Sequence, residues 1–154
     1  MSTIFEKILG GQIPGKFVWK DEKCFAILDI NPVAPGHTLV IPREPIDKWT
    51  DLPDELRSHL FDVAAKIGRA QELAFDVPRS VVIIAGFEVP HAHVHVIPAT
   101  SEGSANLGNG APVDSETFED AYRRLTAVLA DQGFEEMVLR ADTKPEDANE
   151  PLDI

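Results

Sequence analysis

Apolar residues recur along this chain at two different periods, and the change of period marks out its elements. Over residues 53–75, Leu56, Leu60, Val63, Ile67, Ala70 and Ala74 return at steps of three or four, the spacing of one helix face. Pro53 suits the first helical position, Asp54 and Glu55 complement the helix dipole, and Pro78 closes the segment. A second amphipathic helix is predicted over 115–131, with Phe118, Ala121, Tyr122, Leu125, Val128 and Leu129 on one face. Residues 4–9 (IFEKIL) predict a short helical turn stopped by Gly10-Gly11. The remaining apolar runs are short and bounded by turn residues, as strands are. They are 16–20 (KFVWK), 24–28 (CFAIL), 37–42 (HTLVIP), 80–85 (SVVIIA) and 91–98 (HAHVHVIP). The first two flank the polar turn Asp21-Glu22-Lys23 and read as a hairpin. Runs of strands with two inserted helices predict an antiparallel α+β sheet rather than βαβ units, and there is no internal repeat.

The chain has 154 residues, enough for one domain, expected over 1–135. Beyond about residue 140 it turns acidic and proline-bearing (ADTKPEDANEPLDI), so 136–154 is expected to be a flexible C-terminal tail. With 44% hydrophobic residues the chain can form a core unaided. The only cysteine is Cys24, which excludes an internal disulfide and a Cys-rich metal knot and fits a reducing cytoplasm. No segment approaches the roughly 20 apolar residues of a membrane span, and the start MSTIFEKILGG lacks the apolar core of a secretory signal. A formal charge of −12 argues against general nucleic-acid binding and against electrostatic steering of anions. Any anion site must supply its own local donors.

The chemistry concentrates in 91–98. In a strand, His91, His93 and His95 share one face, with successive members about 7 Å apart, while Ala92, Val94 and Val96 face the other way. Such a stripe has three readings. It can be a polar surface stripe, or a metal site in which two of these histidines and His37 act as ligands. It can also be a site of nucleophilic catalysis, in which a neutral imidazole attacks while its other nitrogen keeps the proton that fixes the tautomer. Only His93 is flanked on both sides, which favours it as nucleophile.

The sequence His91-Ala92-His93-Val94-His95-Val96-Ile97 resembles the signature of the histidine-triad family, in which His alternates with hydrophobic residues. Three further stretches follow the family's order: IFEKILGGQIPG (4–15), FAILDINPVAPGHTLVIP (25–42) and VPHAHVHVIP (89–98). The resemblance spans about residues 3–130 and is greatest to the nucleotide-binding branch and its bacterial members. It implies a five-stranded antiparallel sheet with two main helices, and a homodimer in which the sheets join. It implies attack by His93 on the α-phosphorus of a nucleoside phosphoramidate or related ester, a covalent nucleotidyl-histidine, and hydrolysis to a nucleoside monophosphate. His95 and His37 would support that step, and His91 would lie beside the phosphate and leaving group. Asp29 would hold the ribose hydroxyls of a purine nucleotide such as AMP or GMP, and Phe5, Ile8, Ile27 and Ile30 would enclose the base. No cofactor is implied. Zinc-bearing branches carry an amino-terminal cysteine pair that Ser2-Thr3-Ile4-Phe5 lacks, so no structural zinc is expected. The chain departs from the family at Gly86-Phe87-Glu88, where neutral polar groups usually approach the phosphate. Asn106, with Ser104 nearby, is the candidate to replace them. The open alternatives are a nucleotide-binding regulatory module with weak catalysis, a dinucleoside polyphosphate hydrolase and a nucleotidyl transferase.

Overall fold

A computed structural model describes residues 2–141. The acidic stretch 142–154, expected as a flexible tail, lies outside the described residues. Two strands, β1 (Phe17–Lys20) and β2 (Cys24–Leu28), form the expected hairpin, with Phe25 opposite Lys20 and Ile27 opposite Phe17. β3 (Thr38–Pro42) pairs with β2, and the chain then crosses over through the long helix α2 (Asp54–Phe75) to β4 (Arg79–Ile83). β5 (Val94–Ala99) inserts between β3 and β4, giving a five-stranded sheet in the order β1-β2-β3-β5-β4 with every pair antiparallel. The fold class read from the sequence is therefore the observed one.

Alternation along the strands divides the core in two. Cys24, Ala26 and Leu28 of β2, Val40 of β3, and Ala92, Val94 and Val96 all pack against Leu60, Val63, Ile67 and Ala70 of α2. Helix α3 (Ser115–Leu129) joins the same layer through Leu125 and Leu129. On the opposite face the short helix α1 (Ile4–Leu9) places Phe5, Ile8 and Leu9 against Phe25, Ile27, Leu39 and Ile41. The histidine-bearing side of β5 looks toward this second layer.

Three helix boundaries differ from the sequence reading. Pro53 caps α2 instead of entering its first turn. The helix expected to end at 131 runs to Leu129, and the chain then kinks over Ala130–Phe134, where Gly133 leaves helical geometry at φ 100°. Helix α4 (Glu135–Ala141) follows and packs on β1, so 136–141, assigned by composition to the tail, are part of the fold. Among the described residues no helix is long and apolar enough to cross a membrane.

Gln71 of α2, fully buried, ties the layers together near the site. Its amide donates to the carbonyls of Gly36 (2.9 Å) and Val96 (2.8 Å) and accepts from the Ser80 hydroxyl (3.0 Å). Gly36 sits at φ 87°, and a Cβ there would lie 2.1 Å from the Phe75 ring. Gly36→Ala is expected to destabilise the protein by about 1–3 kcal/mol, from left-handed backbone strain and overpacking, read as a lower urea midpoint at unchanged m-value.

Candidate active site

β5 begins at Val94 and not at residue 91, and Pro42 supplies the reason. The β3–β5 register pairs Val40 with Val94, so continuing it would set Pro42 opposite Ala92. Proline has no N–H to give to a ladder. The Ala92 N–H turns instead to the Ile46 carbonyl (2.7 Å), and the free Pro42 carbonyl is taken by the Nε2 of His91 (2.7 Å). His91 and His93 thus stand on an extended lead-in, and only His95 lies in the ladder, opposite Leu39 and Ile83. The alternation survives without the hydrogen-bonded strand. The three rings lie on the α1 side, where Phe5 meets His91 edge-on at 5.5 Å and His93 at 4.9 Å. His93 and His95 are 5.1 Å apart between centroids, and His95 and His37 are 5.2 Å apart.

Partners that can only donate or only accept assign the ring protons. His93 Nδ1 faces the carbonyl of His91 at 2.8 Å, so Nδ1 carries the proton and Nε2 presents a lone pair. His37 Nδ1 accepts from the Val33 N–H (3.1 Å), so its Nε2–H donates to His95 Nδ1 (2.9 Å). His95 then carries its own proton on Nε2. His91 Nε2–H donates to Pro42, and its Nδ1 accepts from the Thr3 hydroxyl at 2.7 Å. The result is one ring nitrogen that keeps its lone pair, on His93 Nε2, and a neighbouring ring that carries its proton on Nε2, on His95.

Electrostatics keep the supporting rings neutral. Burial pushes His95 down to about 4, aided by His93 and His37 and opposed by Asp29. Burial likewise lowers His37 against the pull of Asp29, and lowers His91 against its bond to the Pro42 carbonyl. Neutral imidazoles are what a relay of single-proton hydrogen bonds requires.

The other expected site residues divide. Asp29 is beside His37, its Oδ2 3.6 Å from Nε2, while its Oδ1 accepts from the Asn31 N–H (2.8 Å) and closes the turn. A cavity of about 110 Å³ opens next to this pair, lined by loop 32–36 and by Val113, Thr117, Phe118 and Ala121. Phe5, Ile8 and Ile27 are brought together in the layer under α1. Ile30 is not part of that layer and is 67% exposed. Asn106 is exposed and accepts from the Gly108 N–H (2.9 Å), capping a 3-10 turn, and Ser104 bonds within its own turn. Phe87 projects into solvent at 97% exposure, with Glu88 exposed beside it. The residue that sequence reasoning missed is Thr3, 88 positions from the ring it touches.

Among the described residues, two groups of side chains bring ligand-capable atoms within 4.8 Å of one another: Asp29, His37 and His95, and Asp21, Cys24 and His59. In both, the atoms already bond to each other or to the backbone. Asp21 alone accepts from Trp19 Nε1, His59 Nε2 and the Lys23 and Cys24 N–H groups. In the metal arrangement considered from sequence, two triad histidines with His37, His91 is not available as a ligand. Both nitrogens of that ring are committed, to Thr3 and Pro42.

Comparison with known proteins agrees with this geometry. An uncharacterised HIT-like protein of Methanocaldococcus jannaschii is 40% identical over 126 residues, covering 79% of this chain and 97% of its own. The adenosine 5'-monophosphoramidase HNT1 of Saccharomyces cerevisiae is 35% identical over 130 residues, 84% of this chain and 82% of that protein. The crystal structure of a zinc-bound histidine triad family protein from Mycobacterium smegmatis superposes with a TM-score of 0.73 at 30% identity, covering 86% of this chain and 96% of that one. The HIT domain model matches residues 10–102, which contain the fourth histidine and the whole triad, and the chain belongs to the HIT domain family.

Proposed function

We propose that this protein is a nucleotidyl hydrolase that cleaves nucleoside phosphoramidates or related phosphoesters, releasing a purine nucleoside monophosphate such as AMP or GMP. The observation that carries this reading is the Nδ1–H of His93, held on the His91 carbonyl while Nε2 stays free. In the first step the Nε2 lone pair attacks the α-phosphorus and the bond to the leaving amine breaks. The amine departs with its electron pair and takes up a proton. The ring, now bonded at both nitrogens, is a cation, and the His91 carbonyl dipole at 2.8 Å stabilises that charge where it develops. In the second step water attacks phosphorus, the phosphorus–Nε2 bond breaks, and the water's proton balances the one consumed earlier. The Nε2–H of His95 is the donor in place to hydrogen-bond the phosphoryl or leaving group. Asp29 is assigned to the ribose and the Phe5, Ile8 and Ile27 layer to the base side. The yeast relative's phosphoramidase name supports the substrate class.

The protein is further proposed to work in the cytoplasm as a homodimer. β4 is an edge strand, and Val82 on it is exposed. A regulatory, weakly catalytic role is favoured by one feature, the exposed Phe87-Glu88 pair before the triad, because a carboxylate there opposes an anionic substrate.

Incubation with adenosine phosphoramidate is expected to release AMP and to leave a trappable nucleotidyl adduct. His93→Ala should lose both, and equal turnover by that variant would rule out the mechanism. A second expectation concerns pH. In the unfolded chain His95 returns to about 6.5, so over the window between about 4 and 6.5 the unfolded state binds more protons than the folded one. Stability is therefore fully present above that window and falls as pH drops through it, by about 3 kcal/mol from His95 alone. Urea midpoints should decline from pH 7.5 to pH 4.5, and His95→Asn should flatten the decline.

A further inference from the structure

His91 is fully buried, and each of its polar atoms has an identified partner. Its N–H donates to the Val89 carbonyl (2.8 Å), its Nε2–H to the Pro42 carbonyl (2.7 Å), and its own carbonyl holds His93. That leaves Nδ1 as a bare lone pair in a buried site, where an unmet acceptor is costly. The Thr3 hydroxyl, 2.7 Å away, meets it. Thr3 is also the N-cap of α1. Its Oγ1 accepts from the Glu6 N–H (3.2 Å) and its own N–H donates to Glu6 Oε1 (3.0 Å), a complete capping box. With the lone-pair side of Oγ1 occupied by Glu6, its single proton is directed at His91. Two residues further along the same helix, Phe5 packs edge-on against both His91 and His93.

We propose that Thr3 is a positioning residue for the nucleophile. Its capping-box hydroxyl locks His91 as the Nε2–H tautomer, and the His91 peptide in turn holds the Nδ1 proton of His93. The proposal rests on the reading of His93 as nucleophile. It assigns His91 a role behind the reacting ring and not beside the leaving group. A helix cap and a catalytic tautomer are thereby set by one hydroxyl group. Removing the donor forces a choice on His91. It can keep a buried lone pair unmet, or move its proton to Nδ1 and release Pro42. Either choice shifts the carbonyl on which His93 depends.

Three substitutions separate the cap from the donor. Thr3→Ser keeps both. Thr3→Asp keeps a strong N-cap but offers the ring only an acceptor. Thr3→Val removes both. The readouts are the nitrogen-15 shifts of the His91 and His93 rings, kcat and KM for adenosine phosphoramidate, and the thermal midpoint. Thr3→Ser should match the wild type. Thr3→Asp should lose less of the thermal midpoint than Thr3→Val because it keeps the cap, yet change the His91 protonation pattern, perturb the His93 Nδ1–H signal, and lower kcat by about tenfold to a hundredfold with little change in KM, as loss of an orienting partner does at metal-bound histidines. An unmoved His93 signal in both Thr3→Asp and Thr3→Val would overturn the proposal, as would a Thr3→Ser protein as impaired as Thr3→Asp. A wild type that turns over no phosphoramidate, but whose ring signals respond to Thr3→Asp as described, would remove the proposed reaction and leave the positioning chain standing.

Discussion

A hydrogen bond of 2.8 Å from the Nδ1 of His93 to the carbonyl of the residue two positions earlier is the constraint on which this site depends. It decides which nitrogen carries the proton, which one keeps its lone pair, and how the ring is oriented. A neighbouring side chain could make the same bond, but a backbone carbonyl has less freedom to move away. The cost is that the backbone around His91 must itself be immobile. Its peptide N–H, ring and carbonyl all have partners, drawn from Val89, Pro42, Thr3 and His93. The neutral state of the surrounding imidazoles follows from the same burial, because each bond in the chain needs one proton and not two.

The scaffold serves this requirement through the two faces of one sheet. α2 covers the face formed by Ala92, Val94 and Val96, so the strand cannot slip by one residue without driving imidazoles into an apolar layer. Gln71 reaches through that layer to the carbonyls of Gly36 and Val96, joining the loop before His37 to the strand that bears His95. His37 and His95 are consequently held at bonding distance by elements that are far apart in the sequence. On the other face α1 supplies contact and capping together, so a six-residue helix meets the rings of both His91 and His93.

Much of this was legible in the chain. The alternation of His with Ala and Val fixed which face carries chemistry, and the steps of three and four from Leu56 to Ala74 located α2. What escaped depended on partners distant in sequence. The strand's late start at Val94 follows from an absent N–H at Pro42, which matters only once the register is known. Thr3 reads as an ordinary N-cap until the fold brings His91 to it. α4 was hidden behind Gly133, which ends helical geometry at φ 100° and turns the chain into a further short helix. Ile30 shows the converse limit. It continues the apolar run of β2 past Asp29, but the turn closed by that carboxylate directs it outward.

Cys24 has no exposed surface, and burial together with the neighbouring Asp21 carboxylate pushes its thiol well above the ordinary value. It lies on β2, opposite Pro42 of β3, and faces the α2 layer. A thiol that is both protonated and sealed does not react with alkylating reagents from the native state. Its modification therefore waits for an opening that uncovers β2, and because the chain contains a single cysteine, each labelling event has one origin. The molecule thus carries an internal clock for its own opening, in which the rate of thiol capture reports how often this part of the core is exposed.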